Sequence, residues 1–129
     1  MIHWKRYLSE FVGTAALFCT VIGSGIMAEQ LAQGNMAVAL LANTLATVFA
    51  LYVLIETLGP VSGAHFNPLV SAIAYFRREL SAAHAIAFFI AQILGGSLGA
   101  IIANLMFDHP AINPSQNVRN GANLLLGEV

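Results

Sequence analysis

The chain has 129 residues, of which 58% are hydrophobic and only 9% are charged, and its mean hydropathy is +0.77. This balance predicts an integral membrane protein and excludes an ordinary soluble domain. The net charge of −1 provides no basic field for a nucleic-acid partner, and the single cysteine, Cys19, excludes an intrachain disulfide.

The first predicted membrane helix covers about residues 7–27. Lys5 and Arg6 precede it, and we expect Trp4 and Tyr7 to lie at the membrane interface. The apolar stretch is longer than the roughly 7–15 residues of a signal-peptide core, and further apolar segments follow it. We therefore interpret it as a retained membrane helix.

Two further segments have the roughly 20 apolar residues that a bilayer requires. The second span covers about 36–58 and ends at Gly59-Pro60, a strong stop signal. The third span covers about 81–107. Small residues four positions apart on this third span let helix backbones approach closely, and they are Gly95, Gly99 and Ala103. We expect these small residues to serve helix packing.

Residues 59–78 predict a re-entrant loop and a half-helix in place of a fourth span. Asn67 is a suitable N-cap, and Pro68 fits the first helical position, where an N–H has no intrahelical partner. The apolar run from Leu69 to Phe76 reaches only about half-way across a bilayer at roughly 1.5 Å per residue. A half-helix whose positive end points into the membrane indicates a solute or ion site.

The basic residues predict the orientation in the membrane. If the re-entrant segment returns to its starting face, one side of the membrane holds Lys5, Arg6, Arg77 and Arg78. The other side holds only Arg119. This bias predicts a cytoplasmic N-terminus and an external C-terminal tail. The expected location is a membrane of the bacterial plasma-membrane type.

The polar segment 108–129 predicts an extramembrane loop. Its last residues turn apolar again, and the sequence LGEV at 126–129 is similar to LSEF at 8–11. This similarity predicts that residues 1–107 form one repeat and that 108–129 lead to the opening of a second.

Three motifs occur in order on the predicted elements. SGAHFNP at 62–68 resembles the first pore motif of the major intrinsic protein family, the aquaporins and aquaglyceroporins. EFVGT at 10–14 is similar to the family's first-span pattern, and AQILGG at 91–96 to its third-span pattern. The resemblance implies an all-α integral membrane fold, with three transmembrane helices plus one re-entrant half-helix, as in the N-terminal half of an aquaporin-like bundle.

The family fold consists of two such repeats in inverted orientation, whose half-helices meet near the bilayer centre. Only the first repeat is expected in this chain, because the second Asn-Pro-Ala motif and the filter arginine after it are absent from the sequence. A complete pore would therefore need the other half or another copy.

The resemblance implies a solute path along the re-entrant loop. Asn67 would donate a side-chain N–H to a single file of water or small neutral solute, and the positive helix end behind it would disfavour cations and protons. The alternative is a plain helix cap in a buried loop. The other predicted lining residues are Gly63, Ala64, His65 and Phe66, through their backbone carbonyls, together with Pro68 and Leu69. The imidazole of His65 is expected to fix the loop; solute binding is the alternative.

Two positions bear on the choice of solute. Leu69 departs from the family's common alanine, so it could narrow the waist or shift the packing of the half-helices. Thr47 lies 20 positions before Asn67 (67 − 47 = 20), the offset of the second-span member of the family's selectivity filter. A threonine there implies a wide, polar constriction suited to glycerol, urea or undissociated metalloid acids. The alternative is a threonine that bonds its own helix carbonyl.

Glu10 and Gln92 are polar residues in apolar spans, where an ionisable group is costly unless paired. The resemblance implies that both brace the re-entrant loop through hydrogen bonds; a proton relay at Glu10 is the alternative. The sequence contains no evident nucleophile–base pair that would predict an enzyme. Its histidines are too scattered in the sequence to predict a metal site. No cofactor is expected.

The predicted function is an aquaporin-type channel subunit, or half-channel, in the lipid bilayer for passive passage of water and small uncharged solutes. By resemblance it would be a homotetramer or would pair with a complementary second half. The main alternative is a truncated, non-conducting half. A dual-topology half-channel conflicts with the basic-residue bias, and a small secondary transporter would need coupling-ion ligands for which no acidic pair is evident.

Overall fold

The computed structural model describes residues 3–112 and contains four α-helices in that range. They are α1 (His3–Leu31), α2 (Met36–Ser62), α3 (Pro68–Phe76) and α4 (Ala82–Met106). The predicted all-α class is confirmed for this range. Predictions that concern the end of the tail, including Arg119 and the LGEV sequence at 126–129, lie outside the described residues.

Helices α1, α2 and α4 are each long and apolar enough to cross a bilayer. α1 extends past the predicted span at both ends, because hydropathy marks the apolar part of a helix and not its polar first and last turns. α4 begins after the N-cap Ser81, whose hydroxyl accepts from the N–H of His84.

The end of α2 differs from the prediction. The helix continues through Gly59-Pro60 to Ser62 and is capped by Gly63, which has φ 101° and donates its N–H to the Gly59 carbonyl. Proline removes one backbone donor, and this last turn remains helical because the left-handed glycine cap closes it.

α3 is the predicted short helix, nine residues long, with Asn67 as its N-cap and Pro68 in its first turn. It packs against α4, while α1 lies between α2 and α4 and contacts both. A small core at the base of α3 contains Ala74, Leu80 and Phe88. This core holds the half-helix against the third long helix.

Close backbone contact joins α1 to α4. The Cα of Gly95 faces the Phe11 carbonyl, and that of Gly99 faces the Ala15 carbonyl, so closely that a Cβ at either position would collide with the oxygen. Ala103, four residues further on, is fully buried. The structure thus places all three predicted packing residues in the buried part of α4.

Candidate functional site

The loop between α2 and α3 has an irregular backbone held by polar contacts. Ala64 and Phe66 have positive φ angles of 51° and 47°, in the left-handed region that costs a non-glycine residue roughly 1–2 kcal/mol. Strain of this kind persists only where the surroundings fix the backbone. The N–H groups of this loop therefore need strong acceptors.

Glu10 of α1 supplies those acceptors. Its Oε1 accepts from the Ser62 hydroxyl (2.6 Å) and the His65 N–H (3.0 Å). Its Oε2 accepts from the Phe66 N–H (2.7 Å) and from Nε2 of Gln92 (2.8 Å). The side chain is fully buried. Four donors fill the four acceptor positions of an ionised carboxylate, so one side chain of α1 fixes the loop backbone.

Gln92 of α4 connects this carboxylate to α3. Its Nε2 also donates to the Ser71 hydroxyl at 2.9 Å, and Ser71 Oγ lies 3.0 Å from Nδ1 of His65. The His65 ring meets Phe88 edge-on at 5.3 Å between centroids. The imidazole therefore contacts Ser71 of α3 and Phe88 of α4, as expected for a side chain that fixes the loop.

Ser62 and Ser71 also belong to this network, and the sequence did not predict either of them as a member. Ser62 donates to Glu10 across 52 residues of sequence and accepts from the Ala64 N–H at 3.1 Å. Serine is common at helix ends, so nothing in the local sequence distinguishes a cap from a network member.

The N–H groups and the carbonyl groups of the loop backbone differ in their hydrogen bonding. The N–H groups of Ala64, His65 and Phe66 are paired with Ser62 or Glu10. No donor within residues 3–112 bonds the carbonyl oxygens of the four residues from Gly63 to Phe66. The Phe66 ring is buried against Gly13, where a Cβ would collide with it, so the side chain contacts α1. The loop thus presents unpaired acceptors from its backbone.

Asn67, at the tip of α3, uses only part of its amide group for capping. Its Oδ1 accepts from the Leu69 N–H at 2.8 Å. The Nδ2 group has no hydrogen-bond acceptor within the described range, and the residue is exposed. Capping uses Oδ1 of Asn67, whereas the predicted hydrogen bond to solute would use Nδ2. The cap and the solute donor are therefore compatible interpretations of this residue.

A cavity of about 370 Å³ lies at this tip, between α1 and α4. Its polar lining comes from Thr14, Asn67, Gln92 and Ser97. Pro68 also lines it, whereas Leu69 projects from the tip with 67% of its surface exposed. Oε1 of Gln92 is buried without a partner in the part of the chain that the structure describes.

Thr47 is not brought to the loop. It lies half-buried on α2, and its hydroxyl donates to the Asn43 carbonyl of its own helix at 2.9 Å. α2 and α3 do not pack against each other over residues 3–112. This hydrogen bond to its own helix is the predicted alternative to a place in the selectivity filter.

Two histidines that are distant in sequence come together. The rings of His3 and His84 lie 4.7 Å apart, and Nδ1 of His84 is 2.7 Å from the Tyr7 hydroxyl. Within residues 3–112, no three metal-ligating side chains of the His, Cys, Asp and Glu types come close enough to hold an ion.

Comparisons with known proteins agree with these observations. A family model described as "Major intrinsic protein" matches residues 1–126. The chain is 44% identical over 124 residues to aquaglyceroporin AqpS of Rhizobium meliloti, covering 96% of this chain and 53% of the relative. It is 36% identical over 100 residues to glycerol uptake facilitator protein-like 6 of Lactiplantibacillus plantarum, covering 78% and 41%.

A third relative is more distant. The lens fiber major intrinsic protein of Gallus gallus is 31% identical over 125 residues, covering 88% of this chain and 46% of the relative. The chain spans about half the length of the curated relatives it matches.

Proposed function

The chain belongs to the major intrinsic protein family, and from this premise we propose that it is a channel subunit for passive passage of water and small uncharged solutes. It is an integral membrane protein with three helices of membrane-spanning length. In the proposed channel, α3 and the preceding loop form one side of the solute path.

The unpaired backbone of the loop is the observation that carries this proposal. Gly63 to Phe66 present carbonyl oxygens without a donor in the described range, and Nδ2 of Asn67 lacks an acceptor there. Irregular backbone at membrane depth is tolerated only where it is covered by protein or lines a water-filled cavity. A row of acceptors followed by one donor suits neutral, hydrogen-bonding solutes.

The helix dipole supports selectivity against cations. α3 directs its N-terminal, positive end toward the cavity at its tip. A cation that approaches Asn67 meets this positive potential, whereas a neutral solute does not. Glu10 has no free acceptor position with which to bind a cation at the path, because all four are occupied by the loop, Ser62 and Gln92. That occupancy also disfavours a proton relay through Glu10.

A second candidate is a half that conducts only together with a complementary chain. The chain covers about half of its relatives, and the exposed Leu69 and the open cavity at the tip leave room for a facing element. In this case the loop acceptors of one half and a second half-helix would form the path jointly.

For either candidate we propose a cytoplasmic N-terminus in a bacterial plasma membrane and, by family resemblance, a tetramer.

Stopped-flow light scattering of proteoliposomes tests both candidates. The 129-residue chain is reconstituted alone and together with the part of the Rhizobium meliloti relative that it does not match. Water or glycerol flux from the chain alone supports a self-sufficient channel. Flux only in the mixture, with none from the relative's part alone, supports the complementary half. No flux above empty liposomes in either preparation overturns both.

We further propose glycerol-sized neutral solutes, including undissociated metalloid acids, as substrates. Two relatives carry names that refer to glycerol, an aquaglyceroporin and a glycerol uptake facilitator-like protein. By family resemblance Thr47 would lie at the constriction, where a small polar side chain would leave room for a polyol.

Thr47→Phe is expected to lower the glycerol-to-water flux ratio by about tenfold, which corresponds to ~1.4 kcal/mol of barrier. The ring would narrow the constriction for glycerol more than for water. Paired glycerol and water measurements in the conducting preparation provide the ratio. Thr44→Phe is the matched control, since Thr44 is exposed on the same helix and also bonds its own helix carbonyl. An equal ratio in both variants would contradict the assignment of Thr47 to the filter.

Leu69→Ala is expected to raise water flux by about twofold, equivalent to ~0.4 kcal/mol of barrier. The exposed side chain at the tip of α3 would otherwise narrow the waist. Ile73→Ala, one turn further from the tip and half exposed, is the control and is expected to conduct as the unmodified chain. Unchanged flux in Leu69→Ala would show that this side chain does not limit the path.

A further inference from the structure

A second groove lies away from the loop, between the beginning of α1 and the end of α2. Its volume is about 280 Å³. The walls are formed by four apolar side chains, Leu8, Val12, Leu58 and Val61. Trp4 and Lys5 line its outer end. The groove therefore has an apolar interior and an amphipathic rim.

The floor of the groove offers no free polar group. Ser9 lines it, but the residue is buried and its hydroxyl is 3.3 Å from Ser62 Oγ and 3.5 Å from the Leu58 carbonyl. A polar occupant would lose its hydration here without gaining a hydrogen bond. The interior accordingly suits a hydrocarbon chain.

The rim attracts an anion. The first turn of α1 contains no acidic residue, so the positive end of the helix dipole is not offset there. The only ion pair among residues 3–112 is Arg77–Glu79, which leaves Lys5 without a carboxylate partner in that range. Arg6 is directed elsewhere, with its guanidinium over the Phe88 ring and near the Ser62 carbonyl.

The rim also lies where a lipid headgroup is expected. Trp4 is 57% exposed at the end of a helix of membrane-spanning length, and tryptophan favours the membrane–water interface. Lysine beside an apolar groove between membrane helices is a suitable partner for the phosphate of a headgroup.

We propose that this groove binds an anionic phospholipid, with one acyl chain between α1 and α2 and the phosphate at Lys5 and the first turn of α1. The two features together select this occupant. A free phosphate would use only the rim, and a lipid without net charge would gain less from the rim. The groove shares no lining residue with the cavity at the tip of α3.

Trp4 provides the probe, because it is the only tryptophan of the chain. The 129-residue chain is reconstituted in phosphatidylcholine bilayers that contain increasing fractions of brominated phosphatidylglycerol or brominated phosphatidylcholine. Bromine quenches tryptophan fluorescence only at short range. Quenching by the anionic lipid is expected to saturate at a low mole fraction. Its apparent affinity is expected to be about fivefold higher than that of phosphatidylcholine, because one lysine contributes ~1 kcal/mol to binding an anionic headgroup.

Three variants separate the site from general surface charge. Lys5→Gln is expected to reduce the fivefold preference to about one. Val61→Phe, which fills the groove, is expected to remove saturable quenching by the anionic lipid while Lys5 remains. Arg78→Gln removes an exposed cation outside the groove and is expected to retain the full preference.

Three results would overturn the proposal. Equal quenching by the two lipids would show that Lys5 selects no headgroup. An equal loss in Arg78→Gln and Lys5→Gln would show attraction to general positive charge. Relief of quenching by millimolar inorganic phosphate in the bulk would show that the rim binds phosphate without the acyl chain.

Discussion

Replacing Glu10 by glutamine is expected to abolish flux and to lower the free energy of unfolding by about 3–5 kcal/mol, as when one partner of a buried charged network is removed. The carboxylate accepts from four donors, two of them backbone N–H groups of the loop. An amide of the same size accepts at only one atom. Its NH₂ group would face two donors, and the backbone of His65 or Phe66 would lose its acceptor.

Unfolding in detergent and flux in proteoliposomes measure the two effects. Glu56→Gln is the matched control: Glu56 is an exposed acid on α2, and this change is expected to leave both quantities within error. A Glu10→Gln protein that is as stable and as permeable as Glu56→Gln would contradict the role of the carboxylate in holding the loop.

Adding one methyl group at Gly95 is expected to destabilise the bundle by about 3 kcal/mol, the upper part of the range for overpacking. The Cβ of alanine would collide with the Phe11 carbonyl oxygen, which belongs to the backbone of α1 and cannot move as a side chain can. Gly99→Ala meets the Ala15 carbonyl in the same way. Separation of α1 from α4 would also pull Gln92 away from Glu10, so we expect flux to fall as well.

Gly96→Ala controls for the loss of a helical glycine. At that position a Cβ meets only the Phe18 ring, at 3.5 Å, which is an ordinary van der Waals distance. Alanine also favours the helix, so Gly96→Ala is expected to be neutral or slightly stabilising. Comparable destabilisation in Gly95→Ala and Gly96→Ala would show that close backbone approach is not what joins α1 to α4.

Local sequence pattern predicted the four helices and the position of the loop between α2 and α3. The lengths of the apolar runs predicted three helices of membrane-spanning length and one short helix, and Asn67-Pro68 predicted the start of α3. The end of α2 differed, because the helix does not stop at Pro60 but at the glycine cap three residues later. Proline disfavours but does not forbid a helical turn, and a nearby glycine cap can close the turn beyond it.

The sequence by itself thus determined the all-α membrane class, the half-helix with Asn67 at its tip and the family motifs, since these depend on residues close together in the chain. Only the tertiary structure decided which groups meet. The four donors on Glu10, the contact of Gly95 with the Phe11 carbonyl and the groove beside Lys5 join residues on different helices that are far apart in the sequence, such as Glu10 and Ser62 at 52 positions. Such contacts depend on how α1, α2 and α4 are packed, and no periodicity within a single helix encodes that arrangement.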